Sequence, residues 1–387
     1  MSLTTIVQKL LRGAALSAAL YSCGGSLETP ECQDDYDCSE QEVCVEGECL
    51  DGCSRDSNIE REFTDLEGKI LFERDGDIYV MDASTHNQSN LTKTPSRNDH
   101  DPILSPDGTT ILFRSCDKVC DLYLMDTGGG NQRNITHSLE GVSFSPRPRV
   151  WSPDGSKIVF NVFHSYPRGS DLYTIDITTG NYLQLTNSLI DSSTVDQGAV
   201  WSPDGTTIVF HLSTSKDVVD IFTIDVEGKN MQNQTINFTP NSFYPYWSPD
   251  GNKIVFSATQ GEYLTDIYNL SRKDGDIHRL TNNHSYNFHP LWSEDGRRIA
   301  FISSEISENV YVVVSELYIM DAEGGSNRLV VKSRGSGKSS LAWSPDERKI
   351  VFEEQYGSSS LYLVDVNNCA IEQLTTNGSN PFWYGDF

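Results

Sequence analysis

The 387-residue chain is predicted to be all-β: a seven-bladed β-propeller of four-stranded antiparallel blades, closed by the C-terminal strand and preceded by a short Cys-rich stalk. Three observations predict this. An apolar triplet recurs seven times, a Ser-Pro-Asp-Gly turn precedes most copies, and the chain ends on a segment that supplies what the first copy lacks.

The triplets begin at Ile70, Ile111, Ile158, Ile208, Ile254, Ile299 and Ile350, at spacings of 41, 47, 50, 46, 45 and 51 residues. A repeat of roughly 40 to 50 residues holding four short strands is the period of propeller blades. Runs such as Ile-Val-Phe are apolar on both faces of a strand and need packing partners on both sides, which radially stacked sheets supply. The turn stands at Ser105, Ser152, Ser202 and Ser248, with variants at Ser293 and Ser344. Its proline presets φ, its aspartate bonds local backbone, and its glycine takes the left-handed position without steric cost. A third strand follows each triplet, at Asp77-Ile-Tyr, Asp121-Leu-Tyr, Asp171-Leu-Tyr, Asp220-Ile-Phe, Asp266-Ile-Tyr, Glu316-Leu-Tyr and Ser360-Leu-Tyr. A fourth element, usually Leu-Thr, closes the unit near Leu91, Ile135, Leu185, Phe238, Leu280, Leu329 and Leu374. The first unit has no first strand, and the ending Pro381-Phe-Trp-Tyr-Gly-Asp matches Pro245-Tyr-Trp-Ser-Pro-Asp, so the C-terminal strand is expected to complete blade one.

The Trp-Ser-Pro-Asp-Gly, Ile-Val-Phe and Asp-Leu-Tyr pattern resembles the TolB-type propeller repeat over residues 67–387. That resemblance implies the fold and leaves function open, since TolB-like propellers serve as interaction modules, as gating domains of serine peptidases and in a few lyases. The α/β domain that precedes the propeller in TolB itself is missing.

The N-terminus reads as a targeting segment, residues 1–22. Lys9 and Arg12 precede an apolar stretch from Gly13 to Ala19 that is too short to span a bilayer. Leu20-Tyr-Ser-Cys23-Gly-Gly resembles the lipobox of bacterial lipoproteins, which implies lipidation of Cys23 and a membrane tether by acyl burial; an ordinary signal peptide cut nearby would leave Cys23 a thiol. Residues 23–66 form an acidic tether with 14 acidic and two basic side chains between 24 and 66, nearly half of the formal charge of -26. Its Cys32, Cys38, Cys44, Cys49 and Cys53 lack the paired Cys-x-x-Cys spacing of a zinc site, and in an exported chain they read as disulfide formers. Cys116 and Cys120 can close across one hairpin, and Cys53 is the expected partner of Cys369, stapling tether to propeller.

In a meander of this kind, connections of variable length collect on one face: 161–170, 303–315, 137–149 and 187–199. Loops on a rigid scaffold carry specificity, so this face is the expected binding surface. The residues before each innermost strand should ring the mouth of the central channel: His100, Asp101, Arg147, Arg149, Gln197, Tyr244 and His289, with Ser340 and Asn380. Convergent polar groups there suit a small polar ligand or a peptide end, although a polar channel can equally hold only water. His100 and His289 fall four blades apart, so no metal site is expected. The Trp residues hold one repeat position and read as packing residues rather than a sugar-stacking surface.

Other motifs fail on context. Gly335-Ser-Gly-Lys-Ser lacks the upstream glycine of a phosphate loop, and no Gly-x-Ser-x-Gly elbow occurs. The acidic balance disfavours nucleic acid, which needs clustered Lys and Arg. The reading is therefore a monomeric, non-catalytic propeller without cofactors, exported and tethered as a lipoprotein at the outer membrane, facing periplasm or cell surface. Its expected partners are an envelope protein, peptide or glycan. A channel-mouth lyase or hydrolase of acidic sugars and a purely structural envelope protein are the alternatives.

Overall fold

The computed structural model describes residues 42–45, 48–51, 63 and 66–385, apart from 138, 140–141, 144–147, 166–167, 188–195, 216–217, 261–263, 284, 306–313, 337 and 357. The chain divides into two compact units, Met1–Arg55 and Asp56–Phe387. In the first, the described part is one antiparallel hairpin, Glu42–Val45 with Glu48–Asp51, in which Cys44 and Cys49 are register partners. Cys23, Cys32, Cys38 and Cys53 lie outside the described residues, and with them the expected lipid anchor and the Cys53–Cys369 bridge. No described helix is long and apolar enough to cross a membrane.

The second unit is built from strands, with one short 3-10 turn at Pro148–Val150 among the described residues. Its described strands form five four-stranded sheets and one eight-stranded sheet. The latter runs from Ser242–Trp247 to Arg328–Ser336 and consists of two antiparallel groups of four, joined by a single parallel bridge from Thr265 to Tyr286. In one four-stranded sheet the last strand of the chain, Ser379–Tyr384, lies antiparallel to Lys69–Arg74, pairing Trp383 with Ile70 and Phe382 with Leu71.

The triplets are the second strands, and burial on both faces is complete: Ile70, Leu71 and Phe72 are 0% exposed, as are Ile254, Val255 and Phe256. Each triplet phenylalanine faces an aromatic ring across the ladder to the third strand, as Phe113 does Tyr123 (centroids 5.6 Å apart) and Phe301 does Tyr318 (5.5 Å). Such pairs add about 0.5–1.5 kcal/mol beyond the area they bury.

The Ser-Pro-Asp-Gly turn closes on itself. Ser152 Oγ donates to Asp154 Oδ1 (2.6 Å) and accepts from the Lys157 N–H (2.9 Å), while the Ser156 N–H also donates to Asp154 Oδ1 (3.0 Å). Gly155 sits at φ 70°, and in the variant turn Glu347 takes the equivalent place at φ 57°. Successive turns also touch. A Cβ on Gly155, Gly205, Gly251 or Gly296 would stand 3.4–3.8 Å from the proline ring of the turn before it, Pro106, Pro153, Pro203 or Pro249, and one on Gly385 would meet Pro345 at 3.5 Å.

The Asp of the third strand and the Thr after the fourth form a second recurring lock. Thr136 Oγ1 donates to Asp121 Oδ1 (3.0 Å) and accepts from the Leu122 N–H (2.8 Å); Thr235 with Asp220 and Ile221, and Thr281 with Asp266 and Ile267, repeat it. This corrects one element of the repeat. The fourth strand of the Asp220 unit is Gln232–Asn233 and its lock is Thr235, so Phe238 is not the equivalent of Leu91. Phe238 instead packs edge-on against Phe256 and Tyr268 of the next sheet.

All six Trp are buried, from Trp247 at 0% to Trp343 at 9%, and Trp201 and Trp383 donate their indole N–H groups to the carbonyls of Val150 and Glu67. They are core residues. Cys116 and Cys120 form a disulfide across the last register pair of their hairpin, and Cys369 is also disulfide-bonded.

Candidate functional site

The residues expected to precede the innermost strands lie inside them, at a repeated β-bulge. Between His100 and Ile103, Gln197 and Val200, Phe243 and Tyr246, and Phe288 and Leu291, two residues of the first strand oppose one of the second. Ser379 to Phe382 repeats the pattern against Lys69–Arg74. The first bulge residue is left-handed in each case: Asp101 (φ 57°), Gly198 (66°), Tyr244 (55°), His289 (55°) and Asn380 (46°). A non-glycine residue there costs about 1–2 kcal/mol, and for side chains as bulky as Tyr and His such backbone is exceptional. Four of the five are followed by proline.

Facing this row is a second one, the residue after each triplet: Glu73, Arg114, Asn161, His211, Ser257, Ile302 and Glu353. It is chemically as varied as the bulge position, and five of its members are polar side chains less than 8% exposed: Glu73, Asn161, His211, Ser257 and Glu353. The two rows produce two clusters.

The first cluster is polar. Glu73 Oε1 accepts the Asp101 N–H (2.5 Å) and the Asn380 side-chain amide (2.6 Å), and its Oε2 lies 3.1 Å from His100 Nδ1. Arg114 reaches Asp101 Oδ2 at 2.8 Å. Ser340 Oγ donates to Asn380 Oδ1 (2.8 Å), and the Asn380 N–H donates to Glu353 Oε2 (3.2 Å). Burial alone would raise the Glu73 pKa, but the bonds from His100, Asp101 and Asn380 outweigh it and hold the carboxyl below the ordinary glutamate value. At Asp101 desolvation wins over Arg114, with help from the Glu73 charge, and its pKa is pushed up to about 6. The bond to Glu73 raises the His100 pKa against the effect of burial.

The second cluster is aromatic. The rings of Tyr244 and His289 are 4.5 Å apart, His211 is 5.7 Å from Tyr244, and Phe243 and Phe288 flank the pair at 6.3 Å from Tyr244 and 5.3 Å from His289. Phe243, Tyr244, Phe288 and His289 are all partly exposed. Gly198 leaves room for His211: a Cβ at that glycine would come within 3.1 Å of His211 Nδ1.

The structure thus brings His100, Asp101, Ser340 and Asn380 together, and Tyr244 with His289. Gln197 is the register partner of His211. Arg149 belongs elsewhere, 3.5 Å from Glu294 and over the Tyr246 ring. Arg147 is outside the described residues. Glu73, Arg114, His211 and Glu353 were missed by sequence reasoning. The signal that could have found them is a varying, mostly polar position directly behind a recurring apolar triplet. Among the described residues no group of three or more His, Cys, Asp or Glu side chains is placed to hold a metal ion.

Comparison with known proteins follows the fold. The family model of the TolB beta propeller domain matches residues 116–315. No curated protein matches the chain. Among solved structures, TolB from Acinetobacter baumannii is similar at TM-score 0.50 and 17% identity, over 83% of this chain and 80% of that one. Oligogalacturonate lyase from Vibrio parahaemolyticus is similar at TM-score 0.61 and 15% identity, over 79% of this chain and 90% of the lyase. A puromycin hydrolase gives TM-score 0.62 and 13% identity over 81% of this chain but 53% of the hydrolase. At these identities the likeness is one of fold.

Proposed function

This chain belongs to the TolB β-propeller family, matched over just above half its length, and from that premise we propose that it is a non-catalytic binding scaffold of the cell envelope. Counting the eight-stranded sheet as two blades gives seven, with Ser379–Tyr384 completing the first and closing the ring. Lipid on Cys23 tethers the protein to a membrane through the acidic stalk, and its partner is an envelope protein, peptide or glycan.

The observation that carries the reading is the left-handed bulge. Gly198 shows that glycine fits this position, yet Tyr244 and His289 hold bulky side chains there against a conformational penalty. Strained residues of this kind persist where their side chains have a task, and binding sites are where they concentrate. Tyr244 and His289 stack at 4.5 Å and are both partly exposed, and this aromatic platform is the proposed ligand surface.

The test uses glycine because the backbone accepts it. Wild type and the double variant Tyr244→Gly, His289→Gly are incubated with envelope extract, after their melting curves have been shown to agree within a few degrees. A species retained stoichiometrically by the wild type and lost from the variant supports the proposal, and equal recovery overturns the platform. Turnover of oligogalacturonate by the purified wild type overturns the non-catalytic reading.

A further inference from the structure

The last strand of the chain is fastened to the first sheet by titratable groups as well as by its ladder. Glu73, on Lys69–Arg74, takes donors from two different partners: His100 and the Asp101 N–H on Asn98–Leu104, and the Asn380 amide on Ser379–Tyr384. Ser379 Oγ reaches Glu73 Oε2 at 3.4 Å, and the Asn380 amide also reaches Asp101 Oδ1 at 3.3 Å. One carboxylate therefore joins three strands from opposite ends of the sequence. The charged neighbours are few. Arg114 on Thr110–Cys116 pairs with Asp101; Asp99, on the same strand as His100, is engaged by Thr94 and Ser115; Glu353 on Lys349–Tyr356 accepts the Asn380 N–H; Arg74 and Asp75 follow Glu73, bonded to Gln88 and Asn377.

With His100 neutral and every carboxyl ionised, Glu73 and Asp101 are two neighbouring buried carboxylates with one ion-paired cation, Arg114 on Asp101. Adding one proton to Asp101 and one to His100 removes that excess while leaving Glu73 ionised to accept its donors. We propose that the Glu73–His100–Asp101–Arg114 cluster is a proton-operated latch, which holds Ser379–Tyr384 most firmly in mildly acidic solution and loosens it as the solution turns alkaline.

The signs agree. Asp101 rises from 3.8 to about 6, so its contribution is full below 3.8 and is lost as pH climbs through about 6. His100 is also raised, and its contribution is likewise lost as pH climbs through its folded value, above the ordinary 6.5. Glu73 is lowered, so its contribution is present above 4.5 and disappears as pH falls through its folded value. The latch is strongest near pH 4.5, where Glu73 is ionised and Asp101 and His100 still hold their protons, and it weakens as pH climbs through about 6.

Hydrogen–deuterium exchange of the full chain tests this, read on peptides covering residues 379–384 and corrected for intrinsic exchange rates. Protection of these residues should fall on going from pH 5 to pH 8 by about tenfold from Asp101 alone, with His100 adding to it. The strand Lys253–Gln260 serves as internal control and should stay level. Asp101→Asn is neutral at every pH and should flatten the dependence; His100→Gln, at a part-exposed position, should remove a smaller share. Equal or greater protection at pH 8 than at pH 5 in the wild type overturns the latch, and so does an unaltered wild-type slope in both variants. These outcomes are independent of whether a ligand binds the aromatic platform.

Discussion

Asn380 donates its side-chain amide to Glu73 Oε1 at 2.6 Å across 307 positions of sequence. Asn380 is itself left-handed, at φ 46°, so the contact combines a conformational penalty with a charge-assisted bond. Glycine and alanine separate the two. Asn380→Gly keeps the backbone and loses the bonds, which should cost about 1.5–3 kcal/mol in denaturant unfolding. Asn380→Ala should cost about 1 kcal/mol more, because alanine also carries the left-handed strain. Equal stability of the two variants would remove strain from the account.

Gly129 and Gly180 both have positive φ, 84° and 71°, but only one is crowded. A Cβ on Gly129 would stand 2.4 Å from the Leu91 carbonyl oxygen, whereas nothing lies within 4 Å of one on Gly180. Gly180→Ala should therefore lose only the conformational term, about 1–2 kcal/mol. Gly129→Ala should lose about 1–3 kcal/mol beyond that, since a neighbouring sheet must shift. Thermal melts of the two proteins would measure the difference.

Thr136 is fully buried and joins Asp121 to the Leu122 N–H. Thr136→Val keeps the shape and removes both bonds. A buried donor and an aspartate oxygen are left unsatisfied, for an expected loss of about 2 kcal/mol or more in urea unfolding. The same change at Thr235 should behave alike, because its partners Asp220 and Ile221 repeat the arrangement.

The turn aspartates make the fold sensitive to acid. The bond from Ser152 and the Ser156 N–H lower the Asp154 pKa from 3.8, and in Asp204, Asp250, Asp295 and Asp346 similar bonds overcome the effect of burial. Each lowered group stabilises the fold above 3.8, and that stability is lost as pH falls through its folded value. Unfolding midpoints in urea should therefore drop as pH falls below about 3.8. Asp154→Asn should be less stable than wild type at pH 6 and lose less on acidification; parallel pH profiles would exclude the turn as a source.

The strands and turns were legible because each rests on repeated local chemistry: two-sided apolar triplets and an aromatic on the facing strand in all seven units, and a Ser-Pro-Asp-Gly turn or its variant before six of the triplets. A single repeat would have been ambiguous, and the alignment of seven gives the period. The bulge was only half legible. Asp101, Tyr244, His289 and Asn380 could be picked by their place in the repeat, but not their positive φ, which arises where two residues must face one across the ladder. Glu73 and Glu353 were hidden because a carboxylate behind a core triplet reads as a solvated strand end, until the donors from other strands are known. Arg149 misled through position alone: its repeat interrupts the first strand with a 3-10 turn, and the guanidinium is placed against Glu294. Thr235 was overlooked because Gln234 replaces the usual leucine before it.

The bulge has a consequence for how such a protein can change. The ladder on either side is held by backbone bonds and by the apolar triplets, so the left-handed residue is not itself needed to keep the strands in register. Gly, Asp, Tyr, His and Asn all occupy it within this one chain. Five first strands thus present an address whose occupant can be rewritten by a point mutation, at a conformational cost that is absent for glycine and about 1–2 kcal/mol otherwise, while the frame stays the same. A repeat protein of this design can acquire a new recognition surface one letter at a time, and the variation that would disable an ordinary core is confined to positions where it is tolerated.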